Sequence, residues 1–298
     1  MRKYFLFLSL VCFLSAAKAQ QIQMTSLSDM QALLYNPSMA GVEYKTAVGV
    51  TYRSQWTGVG GSPKTATAFG SFDLPDKKIG LGGYIFNDQT GATSRTGIEL
   101  AFAKHLPLND RAQISLGLEA KGIQYSIDMD KLSQTLGSDP VLGSGGNKFK
   151  VDAGFGISYS DKNLQVGASV LQLIQSKLNY YSGTGSPTED GKLYRHYYFH
   201  GAYRWRLDDV SVLRPSFMMV YLPNAPTEFQ GEVRFEHDEV VWFGVGGRVH
   251  QGVILSAGVH IKKKFSIGYV FDIYKTPYSV YEQGSNSHEL MLRYSLAK

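Results

Sequence analysis

The sequence predicts an all-β protein, a transmembrane antiparallel β-barrel of about 14 strands with short periplasmic turns and long extracellular loops. Three observations carry that reading. Apolar and polar side chains alternate with a two-residue period along nearly the whole chain, the alternating segments are about ten residues long, and their connections are short and long in turn. Composition agrees. With 43% hydrophobic and 18% charged residues, the 298-residue chain has too much apolar surface to stay disordered, and its 32 glycines and 19 tyrosines favour close-packed strands.

The first element is a leader. Met1-Arg2-Lys3 is a basic start, Tyr4 to Ser15 is an apolar run of signal-peptide length, and Ala17-Lys18-Ala19 is a small-x-small cleavage site. Residues 1–19 therefore read as a signal peptide, too short to span a bilayer comfortably, with Gln20 as the first mature residue. Cys12, the single cysteine, lies inside this leader behind Ser9-Leu10-Val11, a poor lipoprotein acceptor. A mature chain without a thiol excludes disulfides, cysteine catalysis and thiolate metal sites. Removing the positive residues Arg2, Lys3 and Lys18 lowers the formal charge from +5 to +2, which argues against nucleic acid as a partner.

Residues 20–45 are expected to form an N-terminal periplasmic segment with a short helix around Ser28 to Leu34. Asn36-Pro37 ends that helix in a turn, because proline fixes φ and restricts the residue before it. The barrel domain follows over 46–298. Strands are expected at 46–54, 64–73, 79–87, 94–105, 111–124, 149–159, 163–171, 194–206, 210–221, 227–236, 239–248, 251–260, 263–272 and 288–297. In the fifth, Ile114, Leu116, Leu118 and Ala120 share one face while Gln113, Ser115, Glu119 and Lys121 share the other. In the tenth, Phe229, Val233 and Phe235 oppose Glu228, Gln230, Glu232, Arg234 and Glu236. The links at 125–148, 172–193 and 273–287 are long and all fall on one rim, whereas those near Leu74–Lys78, Pro107–Asp110, Ser160–Lys162, Leu207–Asp209, His237–Asp238 and Lys262 are short. A soluble sandwich has no reason to keep that parity.

A barrel must turn its apolar face to lipid, since a charge near the bilayer midplane costs roughly 2–4 kcal/mol for Arg or Lys. Tyr52, Tyr159, Trp205, Tyr221 and Tyr294, at strand ends, belong at the two interfaces. The opposite face collects Arg53, Lys121, Arg204, Arg206, Arg214, Arg234, Arg248 and Arg293 with Glu99, Glu119, Asp152, Glu228, Glu232, Glu236, Asp272 and Glu289 in the lumen. The signs balance. Balance suggests ion pairs that hold a shape, where a selective pore would carry an excess of one sign; a generic polar wall around water is the plainer alternative.

Chemistry is sparse. His196 and His200 both point inward but stand roughly 13 Å apart on an extended strand, too far to share a metal. Ser285 or Ser287 beside His288-Glu289 is the nearest approach to a hydrolase triad, and adjacency in sequence does not make one. The glycine-rich stretches 58–61 and 143–146 lack the Lys-Ser/Thr ending of a phosphate loop and read as loop tips. No catalytic, cofactor or metal residue is assigned.

Specific motifs then suggest a family. Asn36-Pro37-Ser38-Met39-Ala40-Gly41, Tyr52-Arg53-Ser54-Gln55-Trp56, Gly61-Ser62-Pro63-Lys64-Thr65, Leu81-Gly82-Gly83, Asn87-Asp88 and Gly91 come first. Asp152-Ala153-Gly154-Phe155-Gly156, Pro215-Ser216, Gly268-Tyr269-Val270-Phe271-Asp272 and Gly284-Ser285-Asn286-Ser287-His288-Glu289 follow in order. Together this series resembles the PorP/SprF family of outer-membrane proteins of the Bacteroidetes type IX secretion system. The resemblance implies a non-enzymatic barrel of the secretion and gliding machinery, set in outer-membrane lipid beside other secretion components. It would receive an exported adhesin-like protein through its C-terminal sorting domain and hold or help export it at the cell surface. The last residues, Tyr294-Ser295-Leu296-Ala297-Lys298, depart from the terminal aromatic common in outer-membrane barrels. Arg53, Gln55 and Trp56, at the top of the first strand, are candidate partner anchors, because Arg and Trp are favoured at binding hot spots. Glu99, Glu119, Lys121, Arg204, Arg206, Arg214, Glu232, Arg234, Arg248, Asp272, Glu289 and Arg293 are the candidate lumen ion pairs, with Asp272 and Glu289 placed to bond Arg53 or Arg293 across the barrel seam. The alternatives are a porin or transporter passing a small solute and, more remotely, an outer-membrane hydrolase.

Overall fold

The computed structural model describes residues 25–43, 46–136, 147–178, 191–223, 225–275 and 286–297. The expected signal peptide and the loop tip at 143–146 lie outside them. The strands are β1 (Thr46–Ser54), β2 (Lys64–Leu74), β3 (Ile79–Thr90), β4 (Thr93–Pro107), β5 (Gln113–Ile127), β6 (Lys148–Ser160), β7 (Leu164–Leu171), β8 (Lys177–Leu178), β9 (Gly191–Lys192) and β10 (His196–Tyr203). They continue as β11 (Trp205–Arg206), β12 (Ser211–Tyr221), β13 (Glu228–His237), β14 (Val241–Arg248), β15 (Gly252–Ile261), β16 (Phe265–Tyr274) and β17 (Ser287–Ala297). All but β8 and β9 join one antiparallel sheet, in which β1 pairs with β17 and β10 pairs with both β7 and β12. The sheet therefore closes. Because β10 and β11 are one stave interrupted at Arg204, the barrel has 14 staves.

The two-residue period explains the wall. Along β4, Ile98, Leu100 and Phe102 face outward and are exposed, while Glu99, Ala101 and Ala103 face inward and are buried. The same holds on β13, where Phe229, Val233 and Phe235 point out and Gln230, Glu232 and Arg234 point in. The exposed apolar band is the lipid-facing surface of an outer-membrane barrel. Among the described residues no helix is long and apolar enough to cross a membrane, and the crossing is made by strands.

Turn chemistry marks the two rims. At the short-turn rim, Asn109, Asp161 and Asp208 each fold a side-chain oxygen back onto two backbone N–H groups just ahead, at 2.7–3.0 Å. Asp238-Glu239 and Lys262-Lys263 supply paired left-handed residues for the tight β13–β14 and β15–β16 hairpins. Both ends of the barrel sheet lie at this rim, the periplasmic one. The opposite, extracellular rim carries the long loops. One holds helix α1 (Met129–Leu136), which the alternation did not predict; Asp128 starts it by accepting the Lys131 N–H. Another holds the β8–β9 hairpin.

The expected periplasmic location of the N-terminal segment is corrected by the structure. Residues 25–42 run through the barrel lumen as a plug, and the expected helix becomes two 3₁₀ turns, Ser28–Met30 and Ala32–Leu34, followed by a third at Pro37–Met39. Burial supplies the reason. Leu27, Met30, Leu33 and Met39 are almost fully enclosed, and an open periplasmic location would leave them in water. Leu27 and Met30 pack on Trp242, Ile254, Val270 and Met291, whereas Leu33 and Ala40 pack on Ala101 and Ala103.

Candidate functional site

The plug starts near the extracellular end of the lumen, where a cluster of charge surrounds Ser26. β1 brings Arg53, β14 Arg248, β16 Asp272 and β17 Glu289 to this point, each 6% exposed or less. The Ser26 hydroxyl accepts from Arg53 at 2.9 Å and from Arg248 at 2.6 Å, and donates to Asp272 at 2.9 Å. Its backbone N–H donates to Glu289 at 2.9 Å, and Gln230 donates to its carbonyl at 3.0 Å. Arg53 bridges Asp272 and Glu289, so two cations meet two carboxylates and the charges of this cluster balance. The neighbouring Asp29 receives Arg234 at 2.7 Å and Arg214 at 3.5 Å.

Farther down, the plug is seated by shape. Inward positions of β3, β5, β6 and β7 are glycine where the plug passes. A Cβ on Gly80 would lie 1.9 Å from the Ala40 carbonyl oxygen, on Gly117 2.1 Å from the Ser38 nitrogen, and on Gly156 1.9 Å from the Asn36 side-chain oxygen. Only a residue without a side chain lets the backbones approach so closely. On this bed Asn36 caps its own turn by accepting the Ser38 N–H at 3.0 Å, while its amide donates to the Ile157 carbonyl at 3.2 Å and meets the His200 ring at 3.0 Å. Ser38 donates to Ser158 at 2.8 Å, and Ser71 accepts the Gly41 N–H at 2.8 Å.

Above the plug a cavity of about 340 Å³ opens toward the extracellular rim. Thr25, Gln31, Leu34 and Tyr35 of the plug form its floor. β1 to β4 line one side with Thr51, Thr65, Thr67, Thr90, Thr93 and Ser94, among which stand Tyr84, Phe86, Asp88 and Arg95, and the remaining wall carries Ile123, Tyr125, Leu171, Leu178 and Leu193 beside Lys121, Gln172, His196 and Tyr198. Leu178 lies in β8 and Leu193 directly follows β9, so part of an outer loop packs against the cavity wall. Left-handed Gln172 and Gln175 turn that loop, and Asp152 accepts the Ile174 N–H at 3.1 Å.

The predicted residues divide into groups. Glu99, Glu119 and Lys121 meet on the β4–β5 wall, with Lys121 2.7 Å from Glu99 and 3.2 Å from Glu119. Arg53, Arg248, Asp272 and Glu289 form the cluster at Ser26, while Arg214 and Arg234 reach Asp29. Glu232 and Arg293 take serine partners, Ser256 and Ser266. Arg204 and Arg206 stand apart. Arg204 sits in the break between β10 and β11, and Arg206 is exposed at the short-turn rim, so neither joins the lumen pairs. Arg53 is buried at the cavity floor rather than free at the loop surface. Gln55 and Trp56 are half-buried against Tyr274, the Trp56 ring edge-on at 6.3 Å. Ser26, Asp29, Asn36 and the glycine bed are the residues that sequence reasoning missed. The signal available was the run of apolar residues in a segment expected to be solvated. Among the described residues no group of three or more His, Cys, Asp or Glu is arranged to hold a metal.

Comparison with known proteins follows the same lines. The model of a family described as type IX secretion system membrane protein PorP/SprF matches residues 16–294. No curated protein matches the chain. Among solved structures, the Ralstonia pickettii toluene transporter TbuX is similar at 11% identity and a TM-score of 0.51, over 88% of this chain and 92% of that one. The monoaromatic hydrocarbon channel CymD is similar at 11% identity and a TM-score of 0.53, over 90% and 93%. At such identity the likeness concerns the barrel fold.

Proposed function

This chain belongs to the PorP/SprF family of type IX secretion system membrane proteins, and from that premise we propose that it is a non-enzymatic anchor. It binds an exported adhesin-like protein through that protein's C-terminal sorting domain and holds it, or helps export it, at the cell surface together with other secretion components. The observation that carries this reading is the plug. A lumen filled by the chain's own buried residues 25–42, locked by paired charge and seated on glycine, is built to stay shut. The long loops and the cavity lie on the extracellular rim, where an exported partner would be met.

The rival reading is passage of a small solute, as in the toluene transporter TbuX and the monoaromatic hydrocarbon channel CymD. It requires the plug to yield. Extraction of the tagged protein from its native outer membrane in mild detergent, with co-purifying proteins identified by mass spectrometry, separates the two. An anchor brings down a large exported protein with a C-terminal sorting domain in near-equal amount and shows no steady conductance in planar bilayers. A barrel that comes down alone and conducts would overturn the anchor.

A further inference from the structure

The cavity above the plug has features that holding the plug does not require. It is 340 Å³, within the roughly 300–1,000 Å³ usual for sites that enclose a small ligand, and its floor is the plug, so whatever enters from the extracellular side leaves the same way. Its two sides differ in chemistry. One, on β1 to β4, is rich in hydroxyls whose oxygens can accept, on Thr51, Thr65, Thr67 and Ser94 among others, with Thr65 already donating to Asp88; the other sets Ile123, Tyr125, Leu171, Leu178 and Leu193 beside a few polar groups. The charges in and around it are matched within the protein: Arg95 with Asp88, Lys121 with Glu99 and Glu119, Arg53 with Glu289 and Asp272.

We infer that this cavity is the seat of a short extended peptide segment of the exported partner, uncharged and bearing one bulky apolar side chain. The inference rests on the anchor reading and names where the partner is gripped. An apolar side chain would fill the side formed by Ile123, Tyr125 and the leucines, while the amide N–H groups of the same segment would donate to the threonine hydroxyl oxygens. A saccharide would press hydroxyls against Leu171, Leu178 and Leu193 and leave them unpaired. A plain hydrocarbon would strip water from the threonine side and offer nothing in return. A charged tip would find no unmatched countercharge. The size admits the end of a segment and not a folded domain, so the surrounding loops would carry the rest of the contact.

The test uses the full chain in its native outer membrane. The photoreactive residue p-benzoylphenylalanine replaces Tyr125, and in separate strains Thr67→Trp fills the cavity from its hydroxyl side or Ser94→Trp narrows its mouth. Folding of each is checked by the gel shift between unheated and boiled barrel. The expected results are a cross-link from position 125 to a defined peptide of the co-purifying exported protein, and at least about a tenfold loss of that protein in both tryptophan variants. Undiminished co-purification in both, with no cross-link, would overturn the cavity while leaving the anchor standing. A cross-link to glycan or lipid would overturn the peptide. If wild-type barrel brings down no exported protein, the anchor fails and the cavity assignment fails with it.

Discussion

Where the plug begins it is held by charge, and farther along it is held by shape. Around Ser26, two arginines and two carboxylates drawn from four separate strands are tied through one hydroxyl and its backbone. Around Asn36 to Ala40, the wall contributes mostly the absence of side chains at Gly80, Gly117 and Gly156. The first region resists loss of any member, because a buried charge left alone is costly; the second resists addition, because there is no room. One segment is thus fixed by two unlike devices.

Opposite substitutions should break the two regions. Arg53→Ala, which takes from buried Glu289 its arginine partner and leaves Asp272 to Arg248, should cost about 3–5 kcal/mol, read as a lower urea midpoint of the detergent-solubilised barrel. Gly117→Ala and Gly156→Ala, each forcing a Cβ into the plug, should cost about 1–3 kcal/mol and open residues 25–42 to protease. Gly231→Ala is the control: its Cβ has nothing nearer than 3.5 Å, and the change should stay within about 0.5 kcal/mol. Asn36→Ala, which removes the turn cap, should cost about 0.5–2 kcal/mol and loosen the lower region while sparing the upper.

The smallest effect lies outside both regions, at the periplasmic rim. Backbone N–H groups of Leu164 and Asn163 hold the Asp161 carboxyl below its ordinary value, and those of Val210 and Ser211, with the Ser211 hydroxyl, do the same for Asp208. A lowered carboxyl stabilises the fold when ionised, so the contribution is full above about pH 4, the unfolded value, and is lost as pH falls through the lower folded value. Asp161→Ala should therefore narrow the gap between neutral and acid stability slightly, measured as urea midpoints at pH 7 and pH 3.

Much of the barrel was legible because its signal is local. Alternation such as Ile98-Glu99-Leu100 or Phe229-Gln230 fixes which face a residue takes, and connection length fixes the rim. Charge on the lumen face was legible for the same reason, and Arg206 escaped because β11 is only two residues at the rim. The plug was not legible, since its place depends on residues far apart in sequence: Asn36 beside Gly156, Ser26 beside Asp272. Glycine on an inward face reads as ordinary strand glycine until the neighbour is known. Helix α1 was hidden because eight residues in a loop give too short a pattern to count.

The central claim, that residues 25–42 close the barrel from within, can be tested directly because the chain's single cysteine, Cys12, lies in the expected leader. The Ser38 and Ser158 hydroxyl oxygens are 2.8 Å apart, one on the plug and one on β6. In the Ser38→Cys/Ser158→Cys double variant, mild oxidation of intact outer membranes should join the two positions in nearly every molecule and change its mobility on a non-reducing gel. Two free thiols that react readily with a membrane-impermeant maleimide would mean that the segment lies outside the lumen, and the plugged barrel would be wrong.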